Sequence, residues 1–338
     1  MSIITRTSDA VEPQDWRQLL AGSFRQASEL LHYLNLQPAD VELSEQASRD
    51  FPLLVPRPFA DRMQKGNPQD PLLLQVLPQQ AETLEVAGYI TDPLAEKHAN
   101  IQQGIIHKYH GRVLLLAASG CAVNCRYCFR RHFPYQDNRL SRKQWQQALD
   151  YIRNDNSIEE VILSGGDPLM LQDEHLQQLL QQIEAIPHVR RLRIHSRLPV
   201  VIPQRITTAL CHMLADSRLA VSCVLHINHA NELSENDLFR FKQLQHSGVV
   251  LLNQAVLLKQ VNDSLSDLSE LNKQLFEFGI VPYYLHLLDP VKGAAHYDVP
   301  ESQARQLHQQ LQQILPGYLI PRLVREEGGK RHKTLLPG

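Results

Sequence analysis

Apolar positions follow two rhythms along the chain, and the change between them divides it. Over residues 13–34, Trp16, Leu19, Leu20, Phe24, Ala27, Leu30, Leu31 and Leu34 recur at helical spacing. That stripe predicts one amphipathic helix. Residues 50–105 lose the rhythm and are rich in Pro and polar groups, with turn signals at Gly66-Asn67-Pro68 and Thr91-Asp92-Pro93. From residue 112, short apolar runs recur at Val113–Ala118, Glu160–Leu163, Leu192–His195, Ala220–Ile227, Val249–Leu258 and Val281–Leu288. Helical stretches separate them, at 141–153, 173–185, 203–215, 234–246, 265–277 and 300–315. Apolar strands alternating with helices imply a parallel sheet covered by helices. Six such units are too few for a closed eight-stranded barrel. The expected fold is therefore α/β, a partial (β/α)6 barrel with its chemistry at the C-terminal ends of the strands. Residues 1–105 are expected to form a helical and irregular region wrapping the core, 106–300 the barrel, and 301–338 a C-terminal helix and tail. The Gln-rich stretch at 303–313 keeps Leu307, Leu311 and Ile314 at helical spacing, so it reads as a surface helix.

Composition narrows the function classes. With 338 residues, 43% hydrophobic and 21% charged, the chain has ample material for a core. A net charge of −2 argues against a general nucleic-acid or membrane binder, although Arg126, Arg130, Arg131 and His132 form a local basic cluster. No segment has the roughly 18 apolar residues of a membrane span. Met1–Ser8 lacks a signal-peptide core, so the expected location is the cytoplasm. Five cysteines do not suit a disulfide framework; Cys211 and Cys223 lie in apolar surroundings and read as core.

The other three carry the strongest chemical signal, Cys121-Ala-Val-Asn-Cys125-Arg-Tyr-Cys128, straight after the first strand. Thiolates suit iron–sulfur clusters. Three of them can hold three irons of a [4Fe–4S] cubane and leave the fourth open. An open iron can chelate the amino and carboxylate groups of S-adenosylmethionine (SAM) and, with one electron from an external donor, cleave it to a 5′-deoxyadenosyl radical. The barrel is then a radical SAM barrel. Tyr127 inside the motif matches that pattern. A zinc site completed by His132 is the alternative, but no second cysteine pair exists. A second signal, Ser164-Gly165-Gly166-Asp167-Pro168, closes the next strand, where glycines let backbone approach a ligand such as the aminoacyl end of SAM. Alone it reads equally as a turn. A third, Arg325-Glu-Glu-Gly-Gly-Lys330-Arg-His-Lys333-Thr334, is either a solvated basic tail or the site of a lysine bonded to pyridoxal phosphate (PLP).

These motifs recur in order with HINHANE at 226–232, LLNQAVLLKQVND at 251–263 and YYLHLLDPVKGAAH at 283–296. Together they resemble the lysine 2,3-aminomutase family of PLP-dependent radical SAM enzymes over roughly residues 65–334. Within that family the short chain looks most like the bacterial branch that makes (R)-β-lysine for the modification of elongation factor P. The resemblance implies cluster ligation by Cys121, Cys125 and Cys128, and a PLP phosphate contact by Arg112. It places SAM against Gly165, Gly166, Asp167, His226 and Gln254. It assigns the substrate carboxylate to Arg130, the substrate ε-ammonium to Asp289, and the Schiff-base bond to Lys333. It further implies an L-lysine substrate, an isomerase activity moving the amino group between C2 and C3, and a lysyl-transferring ligase and elongation factor P downstream. A homo-oligomer stays open.

Two departures matter. The family carries a second substrate-binding aspartate seven residues before the PLP lysine; here Glu326 stands there, one methylene longer. Only Gly328-Gly329 remain of the glycine run, and Lys330 competes with Lys333 for PLP. Two rival functions remain at this level: a radical SAM enzyme without PLP, and an iron–sulfur electron-transfer or regulatory protein.

Overall fold

The computed structural model describes residues 15–96, 104–133 and 142–336. Met1–Ser8, and residues 13, 14 and 141 at the starts of two expected helices, lie outside the described residues.

Runs such as Val-Leu-Leu-Leu-Ala and Ala-Val-Ser-Cys-Val-Leu suit strands covered on both faces, and such strands form the centre of the molecule. Among the described residues nine strands stand in one sheet in chain order: β1 Ile105–Tyr109, β2 Arg112–Ala118, β3 Glu160–Gly165, β4 Arg191–Ser196, β5 Ala220–Leu225, β6 Val250–Val256, β7 Val281–His286, β8 Arg322–Arg325 and β9 Thr334–Leu335. Strands β2 to β8 run parallel, and β1 and β9 pair antiparallel at the two edges. One register row, Leu115, Leu163, Ile194, Cys223 and Leu251, crosses five strands and is buried throughout. The six predicted strands are β2 to β7, in an open sheet as expected. The short strands β1, β8 and β9, of which β1 and β9 are the edges, are additions.

Helices Arg142–Asn154, Asp173–Glu184, Thr208–Ala215, Leu238–His246, Leu265–Glu277 and Glu301–Ile314 follow β2 to β7 in turn. The second of them buries Leu176, Leu179, Leu180 and Ile183, the i, i+3, i+4, i+7 stripe of a sheet-facing helix.

Local chemistry trims several expected elements. The stripe at 13–34 forms two helices, Trp16–Ala21 and Ala27–Tyr33, because the chain turns out at Gly22 and Phe24 bridges to Val55. The expected helix at 203–215 begins only at Thr208, since the Thr207 hydroxyl caps it by accepting from Leu210 N at 3.0 Å. The one at 234–246 opens as a 3-10 turn and is α-helical from Leu238. The apolar runs to 227 and 258 leave the sheet early. Side-chain amides replace the ladder there: Ile227 N donates to Asn253 Oδ1 at 2.9 Å, and Val256 N to Asn228 Oδ1 at 2.8 Å.

Residues 16–94 add short helical turns whose apolar side chains join the barrel's own core. Leu30, Leu31, Leu72 and Leu73 are fully buried in the same cluster as Leu163 and Leu285. Each contributes on the order of 1.5–3 kcal/mol of burial free energy. This layer also braces the cysteine loop, as described next.

Candidate functional site

A cavity of about 520 Å³ runs from the C-terminal ends of the strands, at Gly165 and His286, to residues that open them, Arg112 and Arg322. Every predicted site residue lines it, although they come from strands and loops as far apart in the chain as Arg112 and Lys333.

The cysteine loop is held from the N-terminal layer. Asn124 N donates to Leu54 O at 3.1 Å and Arg126 N to Gln75 O at 2.9 Å. The fully buried Arg126 grips Glu82 with Nε at 2.9 Å and Nη2 at 2.6 Å, and Arg131 reaches the same carboxylate at 2.7 Å. The basic cluster noted in the sequence is thus partly internal. Cys121, Cys125 and Cys128 are unbridged and half-buried on the cavity wall. Burial, with Cys125 nearby, pushes the Cys128 thiol up to about 11; burial and Cys128 likewise push Cys121 up. Three crowded thiolates therefore need cationic charge, which iron supplies. Among the described residues no three His, Cys, Asp or Glu side chains stand close enough to hold a single metal ion. In a cubane each thiolate would meet its own iron, which suits three sulfurs carried on one loop. His132, the candidate fourth zinc ligand, is exposed and its Nε2 lies 3.0 Å from Lys292 O.

The Gly-Gly-Asp loop sits against the cysteine loop. A Cβ on Gly166 would meet Gly120 O at 2.3 Å, and Gly165 has φ +107°. The glycines are thus demanded by the protein's own backbone, before any ligand enters. Asp167, expected at SAM, directs its carboxylate into the protein. Oδ1 accepts from Leu169 N at 3.0 Å and Ser196 Oγ at 2.7 Å; Oδ2 accepts from Arg197 N and Leu198 N, both at 2.8 Å. Its geometry is that of a tie between the ends of β3 and β4.

His226 and Gln254 contact each other, Nε2 to Nε2 at 3.1 Å. Burial, with Arg197 and Arg130 nearby, pulls the His226 imidazole down to about 3, so it is neutral at physiological pH.

The remaining groups form an alternating chain of charge. Arg130 presents Nε at 2.7 Å and Nη2 at 2.9 Å to Glu96, and Nη1 at 3.2 Å to Ser164 Oγ. Lys108 joins Glu96 at 3.1 Å to Glu326 at 3.3 Å. Glu326 also accepts from Tyr109 Oη at 3.2 Å and from Lys333 Nζ. Burial alone would raise the Glu326 carboxyl, but Lys333 and Lys108 outweigh it and hold it at about 2. Asp289 is different: burial, reinforced by Glu326, pushes its carboxyl up to about 7. Glu326 is thus already paired with two ammonium groups, and Asp289 is the carboxylate with unspent affinity for a cation. Arg112 lies at the β1–β2 hairpin with its guanidinium 4.6 Å above the Tyr109 ring. Lys330 lies apart: its side chain is 57% exposed and it is absent from the cavity wall, whereas Lys333 is on it.

Residues 109–192 match the family model described as a 4Fe-4S single cluster domain. An L-lysine 2,3-aminomutase of Haemophilus influenzae is 50% identical over 335 residues, which cover 99% of each chain. The chain belongs to the lysine 2,3-aminomutase family. An L-lysine 2,3-aminomutase of Escherichia coli is 51% identical over 324 residues, 96% of this chain and 94% of its own. A solved radical SAM methyltransferase from Sphaerobacter thermophilus aligns at TM-score 0.44 and 15% identity, over 65% of this chain and 68% of its own, too loosely to carry weight. An aminomutase is an isomerase, and this family member is an enzyme of that class.

Sequence reasoning about this aminomutase missed Glu96, Lys108 and Arg197. The first two complete the charge chain, and Arg197 touches Cys125 Sγ. A signal existed only for Lys108, which alternation on β1 places on the same face as Ile106 on the cavity wall.

Proposed function

We propose that this enzyme converts L-α-lysine to (R)-β-lysine, using a [4Fe–4S] cluster, SAM and PLP. One observation carries the reading: a single cavity brings together Arg130, an acid pushed up to about 7 and a lysine, each at a position the family motif marks. Cys121, Cys125 and Cys128 would hold the cluster; Gly165, Gly166, His226 and Gln254 would face SAM. Arg112 would hold the PLP phosphate and Lys333 its carbonyl carbon. When bound, the reduced cluster with SAM supplies hydrogen-atom abstraction from an unactivated carbon, and PLP an electron sink that lets nitrogen pass between neighbouring carbons.

The chain's own residues do the positioning. Arg130 has Nε and Nη2 held by Glu96, and would turn Nη1, 3.2 Å from Ser164 Oγ, to the substrate carboxylate. Asp289 receives the ε-ammonium: arrival of that charge draws the proton off its carboxyl and leaves an ion pair. Fixing both ends of the substrate sets which carbon faces SAM, a contribution of orientation. Glu326 stays anionic and keeps Lys333 and Lys108 in place. Ile106, Leu114, Ile162, Val256 and Leu288 give the cavity an apolar wall that limits water near the reacting carbon.

The motif resemblance supports a cytoplasmic setting in which a ligase transfers the product to elongation factor P. Among the described residues no helix is long and apolar enough to cross a membrane.

The test is anaerobic incubation of reconstituted enzyme with lysine, SAM, PLP and dithionite, with chiral product analysis by mass spectrometry. (R)-β-lysine is expected. SAM cleavage on another substrate, with no β-lysine formed, would overturn the assignment.

A further inference from the structure

One buried cation touches the cysteine loop and has no part in the function so far. Arg197 follows the last residue of β4 and is 5% exposed. Its guanidinium makes four contacts: Nη1 donates to Cys125 Sγ and to Tyr127 Oη, both at 2.7 Å; Nη2 donates to Gln75 Oε1 at 2.6 Å and to Glu232 Oε2 at 2.8 Å. The side chain also lies over the rings of Phe59 at 5.4 Å and Tyr127 at 5.7 Å.

The position is fixed from several directions. Asp167 holds its backbone N–H, which couples it to the Gly-Gly-Asp loop. Glu232 is fully buried, and its other oxygen accepts from Gln75 Nε2 at 3.1 Å and Asn228 N at 2.9 Å. Asn228 in turn donates to Tyr127 Oη at 2.6 Å. With its neighbours anchored, the guanidinium cannot swing away from the sulfur without breaking the four hydrogen bonds of Nη1 and Nη2.

A hydrogen bond to a cluster-ligating sulfur stabilises the more negative state of the cluster, and it acts more strongly where water is excluded. We propose that Arg197 is a positioning residue that raises the cluster's reduction potential by donating to the Cys125 sulfur. It thereby eases uptake of the single electron that an external low-potential donor must deliver. The inference rests on Cys121, Cys125 and Cys128 holding the cluster.

The test compares three anaerobically reconstituted proteins: wild type, Arg197→Lys, and the double variant Arg197→Gln/Glu232→Gln. The double variant removes both buried charges together and so avoids stranding Glu232. Iron content comes first; an iron-free wild type defeats the cluster assignment itself, separately from this inference. Unfolding of the metal-free proteins checks the fold. The midpoint potential is then read by spectroelectrochemistry. The double variant should be tenfold harder to reduce, 59 mV more negative for one electron. Arg197→Lys should shift in the same direction by less, since one ammonium cannot satisfy the four contacts. If the double variant does not fold, Arg197→Lys decides alone. A shift in the double variant below half the expected size overturns the inference. So does an unchanged or raised potential in Arg197→Lys. Loss of iron from a folded variant also overturns it, because Arg197 would then hold the cluster rather than set its potential.

Discussion

Replacing Lys333 with alanine is expected to abolish both the visible absorbance of covalently held PLP and the formation of β-lysine, while replacing Lys330 should leave both intact. The two lysines are three residues apart on a basic tail and look equivalent in charge. Burial and partners separate them. Lys333 stands on the cavity wall, paired with Glu326, with its Nζ 5.9 Å from the Tyr284 ring. Lys330 points to solvent and sits 4.0 Å from Glu327. A covalent PLP lysine needs a defined orientation and shelter from water, and only Lys333 has them. Retained absorbance in Lys333→Ala, with loss in Lys330→Ala, would reverse the assignment.

Asp289→Asn should weaken lysine binding and remove its pH dependence. Truncating one member of a buried charge pair costs roughly 2–5 kcal/mol. That corresponds to between about thirtyfold and a few thousandfold in affinity. The sign with pH follows from the raised carboxyl. Below about 7 Asp289 is protonated and attracts an ammonium poorly; above it the anion forms and binding tightens. Wild-type affinity should therefore rise between pH 6 and 8, and that of Asp289→Asn should stay flat. Stability runs the other way. A carboxyl that titrates near 4 in the unfolded chain and near 7 in the ligand-free fold destabilises the fold progressively as pH rises through that window. Ligand-free Asp289→Asn should thus unfold at a higher temperature than wild type at pH 8. Equal affinities at pH 8, or a less stable variant there, would remove Asp289 from the ammonium site.

The six central strands were legible because each carries a short buried apolar run between helical stretches, although β4 turns Arg193 and His195 onto the cavity wall. Cys121, Cys125 and Cys128 were legible because cluster chemistry fixes their spacing within eight residues. The site residues missed by sequence lie across long gaps: Arg197 meets Cys125 over 72 residues, and Lys108 meets Glu326 over 218. No local period records such pairs. The motif at Gly166 and Asp167 announces a ligand contact but not the bonds of the Asp167 carboxylate or the crowding at Gly166, which come from neighbouring loops of the protein. The edge strands were missed for length: Thr334–Leu335 is only two residues long, and it forms because Val324 and Arg325 offer an edge to pair with.

The central claim is that three thiolates hold a cubane whose fourth iron is open to SAM. Electron paramagnetic resonance of the dithionite-reduced protein, purified without oxygen and with iron and zinc quantified, tests it most directly. One reduced cubane per chain is expected, with a spectrum that changes when SAM is added. Zinc in place of iron, or a cluster signal indifferent to SAM, would contradict it.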